Sequence, residues 1–353
     1  MLTLISVRQF AASVALRTIS NTWVVESPPP TFIKTMIKKI LTFALVASLF
    51  VACGKEDNPV GPNWGEPGGN DNPTEVQLEP DEADNIIIAH RGRDNDVSAD
   101  GPDNSLQALR YAMSLGCYGS ECDIYWTKDN KVVVAHADGN CQINGMYPWE
   151  HTLAELRKGG ALSNGEQLST LEDFIKVVMT EKSSAKGGKL CTRLILDIKN
   201  ITSPSTLTKY PIKACERACE IIKQMKAEKF CHFICTGNST VMASSYNAAV
   251  GAGIEIAWMS DSPATTYLSK GYRWANLSLE YMNDGFNGGR RTIDEFEKNF
   301  IELSVFNVDL VSGSTTAEKE RVMDYYLSQS HRLRALCTNY PSRLLKKYRD
   351  MNK

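Results

Sequence analysis

Two apolar runs in this chain stop at a histidine. Ile86–Ala89 ends in His90, Arg91 and Gly92, and Val132–Ala135 ends in His136. Between them "GSECDIYW" sets Glu121 and Asp123 two residues apart, and further on "LILDIK" does the same for Asp197 and Lys199. On a β-strand a spacing of two places both side chains on one face. Imidazole moves protons near neutral pH, guanidinium and ammonium groups hold oxyanions, and carboxylates hold cations. Two carboxylates side by side on an inner face repel each other and lose hydration. A hard divalent cation such as Mg²⁺ or Ca²⁺ relieves that cost, and so do neighbouring Arg or Lys side chains. The Glu-x-Asp spacing alone favours neither. Cys122 and Ile124 alternate with the carboxylates and belong on the opposite face, under helices.

Strands must bring these groups together. After Asp84 short apolar strands alternate with amphipathic helical patterns to the end of the chain. The strand candidates are Ile86–His90, Gly119–Tyr125, Val132–His136, Leu194–Lys199, His232–Thr236, Ile254–Met259, Ala275–Leu279, Asn307–Ser312 and Arg334–Thr338. Helices are expected over Ser105–Leu115, Leu171–Met179, Ala214–Lys226, Ile293–Leu303, Ala317–Leu327 and Arg343–Tyr348. Repeated β–α units imply a parallel sheet, and residues 85–350 suit a TIM-type (β/α)8 barrel. Nine strand candidates are one too many for it, and the surplus is expected within 254–279. Gly139–Ser169 is longer than a simple βα loop and is expected to form a small cap insertion after the third strand. In four successive candidates polar residues stand at the C-terminal end, where parallel barrels build their active sites.

His90-Arg91-Gly92, Asp103-Asn104-Ser105, Glu121-Cys122-Asp123, Thr127-Lys128-Asp129 and His136-Ala137-Asp138 follow one another in an order that resembles the glycerophosphodiester phosphodiesterase family. Gly165–Glu172 ("GEQLSTLE"), Leu196–Lys199 and Thr338–Pro341 extend the resemblance over about residues 86–348. The resemblance implies a general acid/base pair, His90 and His136. It implies one divalent cation, Mg²⁺ or Ca²⁺, held by Glu121, Asp123 and Asp197, with the phosphate held by Arg91 and Lys199. The implied reaction is hydrolysis of glycerophosphodiesters to an alcohol and glycerol phosphate. Asp197 stands where the family usually has Glu, Asp103 also replaces a Glu, Ser169 a Pro and Asn339 an Asp. Asp309 takes the place of a Trp that lines the alcohol pocket. Other readings are a phospholipase-like phosphodiesterase acting on intact phospholipid or a phosphoinositide, and a non-catalytic, ligand-binding surface lipoprotein.

The N-terminal stretch adds a location. Met36-Ile37-Lys38-Lys39 supplies a positive start and Ile40–Val51 an apolar run, ending Ala52-Cys53-Gly54. This resembles a bacterial lipobox with Cys53 as the lipidated residue. Residues 36–53 then form a lipoprotein signal peptide, and residues 1–35 an extension ahead of a true start at Met36. Residues 54–84, rich in Gly, Pro and Asn, form a flexible tether to a barrel held at the cell envelope by its lipid anchor. The net charge of -2 and the absence of basic runs exclude nucleic acid as a partner. A small-molecule phosphodiester and a membrane remain. The ten cysteines show no zinc spacing, and nothing in the sequence selects disulfide pairs.

Overall fold

The computed structural model describes residues 79–353 apart from Ala99, 184–185, 202–204, 237–238, Asn287 and 310–314. The 1–35 extension, the 36–53 signal peptide, Cys53 and most of the 54–84 tether lie outside the described residues. The last tether residues are already fastened to the barrel. Leu190 N–H donates to Asp81 Oδ2 (3.0 Å), and Lys186 pairs with Asp84.

In chain order the elements are β1 (Ile87–Ala89), α1 (Leu106–Leu115), β2 (Gly119–Trp126), β3 (Val132–Val134), α2 (Leu153–Lys158), β4 (Ser169–Thr170), α3 (Leu171–Thr180) and β5 (Arg193–Ile198). There follow α4 (Lys209–Met225), β6 (Cys231–Thr236), α5 (Ser239–Gly251), β7 (Ile256–Met259), α6 (Ala264–Lys270) and β8 (Trp274–Ser278). The chain closes with α7 (Ile293–Lys298), β9 (Glu302–Phe306), α8 (Thr316–Ser328), β10 (Ala335–Thr338) and α9 (Pro341–Met351). Strands β1, β2 and β5 to β10 pair in parallel, and β1 pairs with both β10 and β2, which closes an eight-stranded barrel.

The surplus strand is not where the sequence placed it. Segment 254–279 holds two genuine barrel strands, β7 and β8. The extra one is β3, which pairs antiparallel to β2 beyond the barrel rim, with Ile124 opposite Val134 and Trp126 opposite Val132. An all-apolar run of three residues reads alike in a barrel strand and in a buried hairpin arm. The strand expected at Asn307–Ser312 is β9, five residues earlier, at Glu302–Phe306. Helix α7 ends at Lys298 because the chain reverses at Phe300, which has a left-handed φ of 55°.

Alternation along the strands divides the core. Leu194, Leu196, Cys122 and Ile124 face outward into the cluster shared with the helices. Ile88, Ile195, Ile234, Ala257 and Trp274 fill the barrel interior. Burying a side chain of this size stabilises the fold by about 1.5–3 kcal/mol. A separate apolar cluster, built on Tyr125, Val133, Trp149, Leu156 and Leu168, lies under the cap between β3 and β4.

At the N-terminal pole His232 is buried against Trp274, with Arg334 lying 3.8 Å over that indole ring. Glu255 approaches His232 Nδ1 to 3.3 Å, but it is half-exposed and also paired with Arg334. Burial first, and the Arg334 charge second, push the imidazole down to about 3, against the pull of Glu255. The folded state therefore keeps His232 neutral between about pH 3 and 6.5, where the unfolded chain protonates it. Stability falls as pH drops below about 6.5 and is flat above it. Lowering the pH from about 7.5 to about 5 is expected to cost about 2 kcal/mol through this residue. Urea unfolding at the two pH values checks it: the slope should shrink in His232→Gln, and an unchanged slope would clear His232 of the effect.

Candidate active site

The first histidine is presented by a turn that few sequences can make. Beyond β1 the chain makes a tight β-turn, closed by the Arg93 N–H on the His90 carbonyl (3.1 Å), in which Arg91 has φ 53° and Gly92 φ 74°. A Cβ on Gly92 would lie 2.8 Å from the Ala108 carbonyl carbon of α1, so only glycine permits this approach. A left-handed residue with a side chain costs about 1–3 kcal/mol. Two hydrogen bonds hold Arg91 there: its N–H donates to Glu121 Oε2 (2.9 Å), and its carbonyl accepts from the Asn104 N–H (3.1 Å).

Asn104, itself at φ 58°, latches onto Asp123. Its Nδ2 donates to Asp123 Oδ2 (2.9 Å), and its Oδ1 accepts from the Asp123 N–H (2.9 Å). Asp123 stands opposite Asp197 in the β2–β5 register, and Glu121 lies two residues earlier on the same inner face. Oxygens of Glu121, Asp123 and Asp197 all lie within 4.8 Å of one another, and all three side chains are buried. Lys199 Nζ reaches Asp197 Oδ2 at 2.5 Å and also pairs with Asp123, so it spans two of the three carboxylates. Burial would lower the Lys199 pKa, but Asp197, Asp123 and Glu121 overcome it and hold the ammonium charged. Glu121 is the opposite case. Burial, then the Asp123 charge, drive its carboxyl well above the usual range, and Lys199 only partly offsets them. Among the described residues it accepts one hydrogen bond, from Arg91. Three convergent carboxylates, one of them pushed toward protonation, fit an oxygen-seeking divalent cation.

His90 is aimed by a chain of side chains. Asn339 Nδ2 donates to Asp309 Oδ2 (3.0 Å), which turns Asn339 Oδ1 toward His90 Nδ1 (2.7 Å). Nδ1 therefore carries the proton, and the Nε2 lone pair faces the mouth, 3.8 Å from Glu121 Oε2. Asp309, at the place of the pocket-lining Trp of the resembled family, serves this support instead. It is buried and accepts from Thr338 Oγ1 (2.8 Å) and the Asn339 N–H (3.2 Å) as well. Burial, the largest influence, keeps His90 below its ordinary pKa, although the Asn339 bond works the other way.

His136 reaches the mouth by a different route. The antiparallel β3 returns along β2, and Ala135 N–H donates to the Asp123 carbonyl (3.1 Å). His136 thus follows directly after the level of Asp123. It is exposed at the rim, yet partial desolvation, the largest influence, lowers its pKa, and it feels the charges of Asp123, Arg91 and Lys199. The Arg91 guanidinium is held by Asp103 (2.9 Å), with Nε 3.5 Å from Asp123. Arg93 supports Asp103 from its other oxygen at 3.2 Å. Glu166 ties the cap to this rim by accepting the Leu106 and Gln107 N–H groups at the start of α1 (2.9 and 3.0 Å).

His90, Arg91, Glu121, Asp123, Asp197 and Lys199 thus form one cluster at the C-terminal mouth, with His136 on its cap side. Cys53 lies outside the described residues. Sequence reasoning named Asn104, Asn339 and Asp309 as motif positions but gave none of them the positioning role that the structure shows. Nothing local pairs Asp309 with Asn339, which lies thirty residues away.

A parallel barrel whose C-terminal mouth gathers carboxylates, imidazoles and cations has the architecture of a barrel enzyme. Residues 90–190 match the model of the glycerophosphoryl diester phosphodiesterase family. A glycerophosphodiester phosphodiesterase of Caldanaerobacter subterraneus is 33% identical over 101 residues, which cover 26% of this chain and 40% of that protein. The match thus spans less than half of the relative's length. A solved glycerophosphodiester phosphodiesterase from Parabacteroides distasonis shares the fold with TM-score 0.59 and 22% identity, over 77% of this chain and all of that one. An Oleispira antarctica phosphodiesterase, solved with its product sn-glycerol-3-phosphate, shares it with TM-score 0.51 and 16% identity, over 74% of this chain and 96% of that one.

A cation bound here should stabilise the fold. At about 100 times its Kd a ligand adds about 2.7 kcal/mol, which is roughly 5–10 °C in Tm for a domain of this size. Thermal melts with added Mg²⁺ or Ca²⁺, against Na⁺ at equal ionic strength, measure the rise, and Asp123→Asn should remove it. Equal melting with and without divalent ion would show that the carboxylates bind none.

Proposed function

We propose that this protein hydrolyses glycerophosphodiesters to an alcohol and glycerol phosphate, with one divalent cation, Mg²⁺ or Ca²⁺, at the barrel mouth. The observation that carries the reading is the contact of Asn339 Oδ1 with His90 Nδ1 (2.7 Å), which leaves Nε2 beside a buried trio of carboxylates and two cationic side chains. The matched relatives act, by their descriptions, on this class of ester, which supports the choice of substrate.

A phosphodiester resists attack because its negative charge repels nucleophiles. The site must neutralise that charge and move two protons. Glu121, Asp123 and Asp197 would hold the cation, which supplies Lewis-acid stabilisation of the phosphoryl oxygens. Arg91 and Lys199 lie beside these carboxylates and bind the same oxygens. His90, neutral because burial lowers its pKa, takes the proton from the attacking water. A new P–O bond forms, the ester P–O bond breaks, and His136 gives its proton to the departing alkoxide. The charge of the bound ester favours the protonated form that His136 needs for this step. Asn339 and Asp309 hold His90 in the working tautomer.

Replacing either histidine should slow turnover of a glycerophosphodiester by about 10²–10⁴-fold, the scale of acid–base groups. EDTA should abolish the reaction and added divalent ion should restore it. Steady-state rates of His90→Ala and His136→Ala near that of the parent protein would refute the assignment of roles, and full activity in chelator would refute the cation.

The lipobox reading of Cys53 adds that the barrel works at the cell envelope on a lipid anchor. Metabolic labelling with a tagged fatty acid is expected to mark the chain and to fail in Cys53→Ser. Equal labelling of both would dismiss Cys53 as the anchor.

A further inference from the structure

A cavity of about 440 Å³ opens between the barrel rim and the cap. His136, Asp103 and Asn104 form its barrel side, and Ile143, Leu162 and Leu168 contribute its apolar cap side. Asp138 also lines it, two residues beyond His136. Among the described lining residues there is no lysine, no arginine and no Phe, Tyr or Trp. Asp103 is already neutralised by Arg91 and Arg93. Among the described residues Asp138 has no such cation: its Oδ1 accepts the N–H groups of Asn140 (2.8 Å) and Gln142 (2.9 Å), which fix the carboxylate in place.

Resting on the hydrolytic reading above, we propose that this cavity receives the departing alcohol and is matched to a small amino alcohol with a primary ammonium group. His136 stands at one side of the cavity and meets the ester oxygen. At most about 7 Å separates its Cα from that of Asp138, so a short two-carbon arm can reach the carboxylate. A primary ammonium brings three donors, and beside Asp138 the side-chain carbonyls of Gln142 and Asn144 can accept them. A quaternary ammonium has no donor and draws its affinity from aromatic faces, which this lining lacks. An anionic alcohol meets the Asp138 carboxylate and no lysine or arginine in the described lining. The apolar cap side suits the carbon arm.

The test compares kcat/KM for glycerophosphoethanolamine, glycerophosphocholine and glycerophosphoglycerol with divalent ion present. The ethanolamine ester is expected to lead each of the others by roughly 3- to 10-fold, the scale of one partly exposed charged hydrogen bond. Asp138→Asn keeps an Oδ1 acceptor for the loop and should bring the ethanolamine-to-glycerol ratio to about one. Gln142→Lys, which adds a cation to the cavity without touching those loop bonds, should push the ratio below one. Equal rates for the three esters, a lead for the choline ester, or a ratio unmoved in both variants would overturn the proposal. Those outcomes leave hydrolysis itself standing. No hydrolysis of any ester would overturn the reaction, and this proposal with it.

Discussion

Three carboxylates buried at one point cannot all stay ionised without positive charge among them, and the mouth of this barrel is organised around that constraint. Desolvation of a single carboxylate costs several kcal/mol even after the protein relaxes. The chain meets part of the demand with its own cations. Lys199 spans Asp197 and Asp123, and Arg91 lies against Asp123. Glu121 is left with one backbone N–H and an elevated pKa. That imbalance leaves the cluster with room, electrostatically, for a further cation. Hydrogen bonds that place the carboxylates, such as the two-point grip of Asn104 on Asp123, keep them from turning away from one another.

Much of this was legible in the sequence because strand alternation is simple. The spacing of two puts Glu121 with Asp123, and Asp197 with Lys199, on inner faces, while Cys122 and Ile124 turn to the helices. The glycine after His90-Arg91 marks a left-handed turn that α1 crowds from behind. Strand direction was not legible. Val132–Val134 is apolar throughout, so nothing local distinguishes a parallel barrel strand from the returning arm of a hairpin. Yet that reversal is what carries His136 back to the rim. The role of Asp309 was hidden for a related reason: its partners belong to β10 and the turn after it, and only closure of the barrel brings them together.

The two poles of the barrel treat buried imidazole differently. At the N-terminal pole His232 is kept neutral beside Arg334 and Trp274, where it only fills space and satisfies packing. At the C-terminal pole His90 is half-buried, and a side-chain amide dictates which nitrogen carries its proton. Burial lowers the basicity of both. What separates a structural histidine from a reactive one here is the company of an orienting acceptor on one nitrogen and open space at the other.

The cap has its own apolar cluster, distinct from that of the barrel, and grips the rim through the Glu166 carboxylate at the head of α1. Such an insert behaves as a cassette. Its loops can diversify by drift or by deliberate grafting while the ring of carboxylates and imidazoles beneath is left untouched, provided the acidic fastenings at Glu166 and Asp129 are retained.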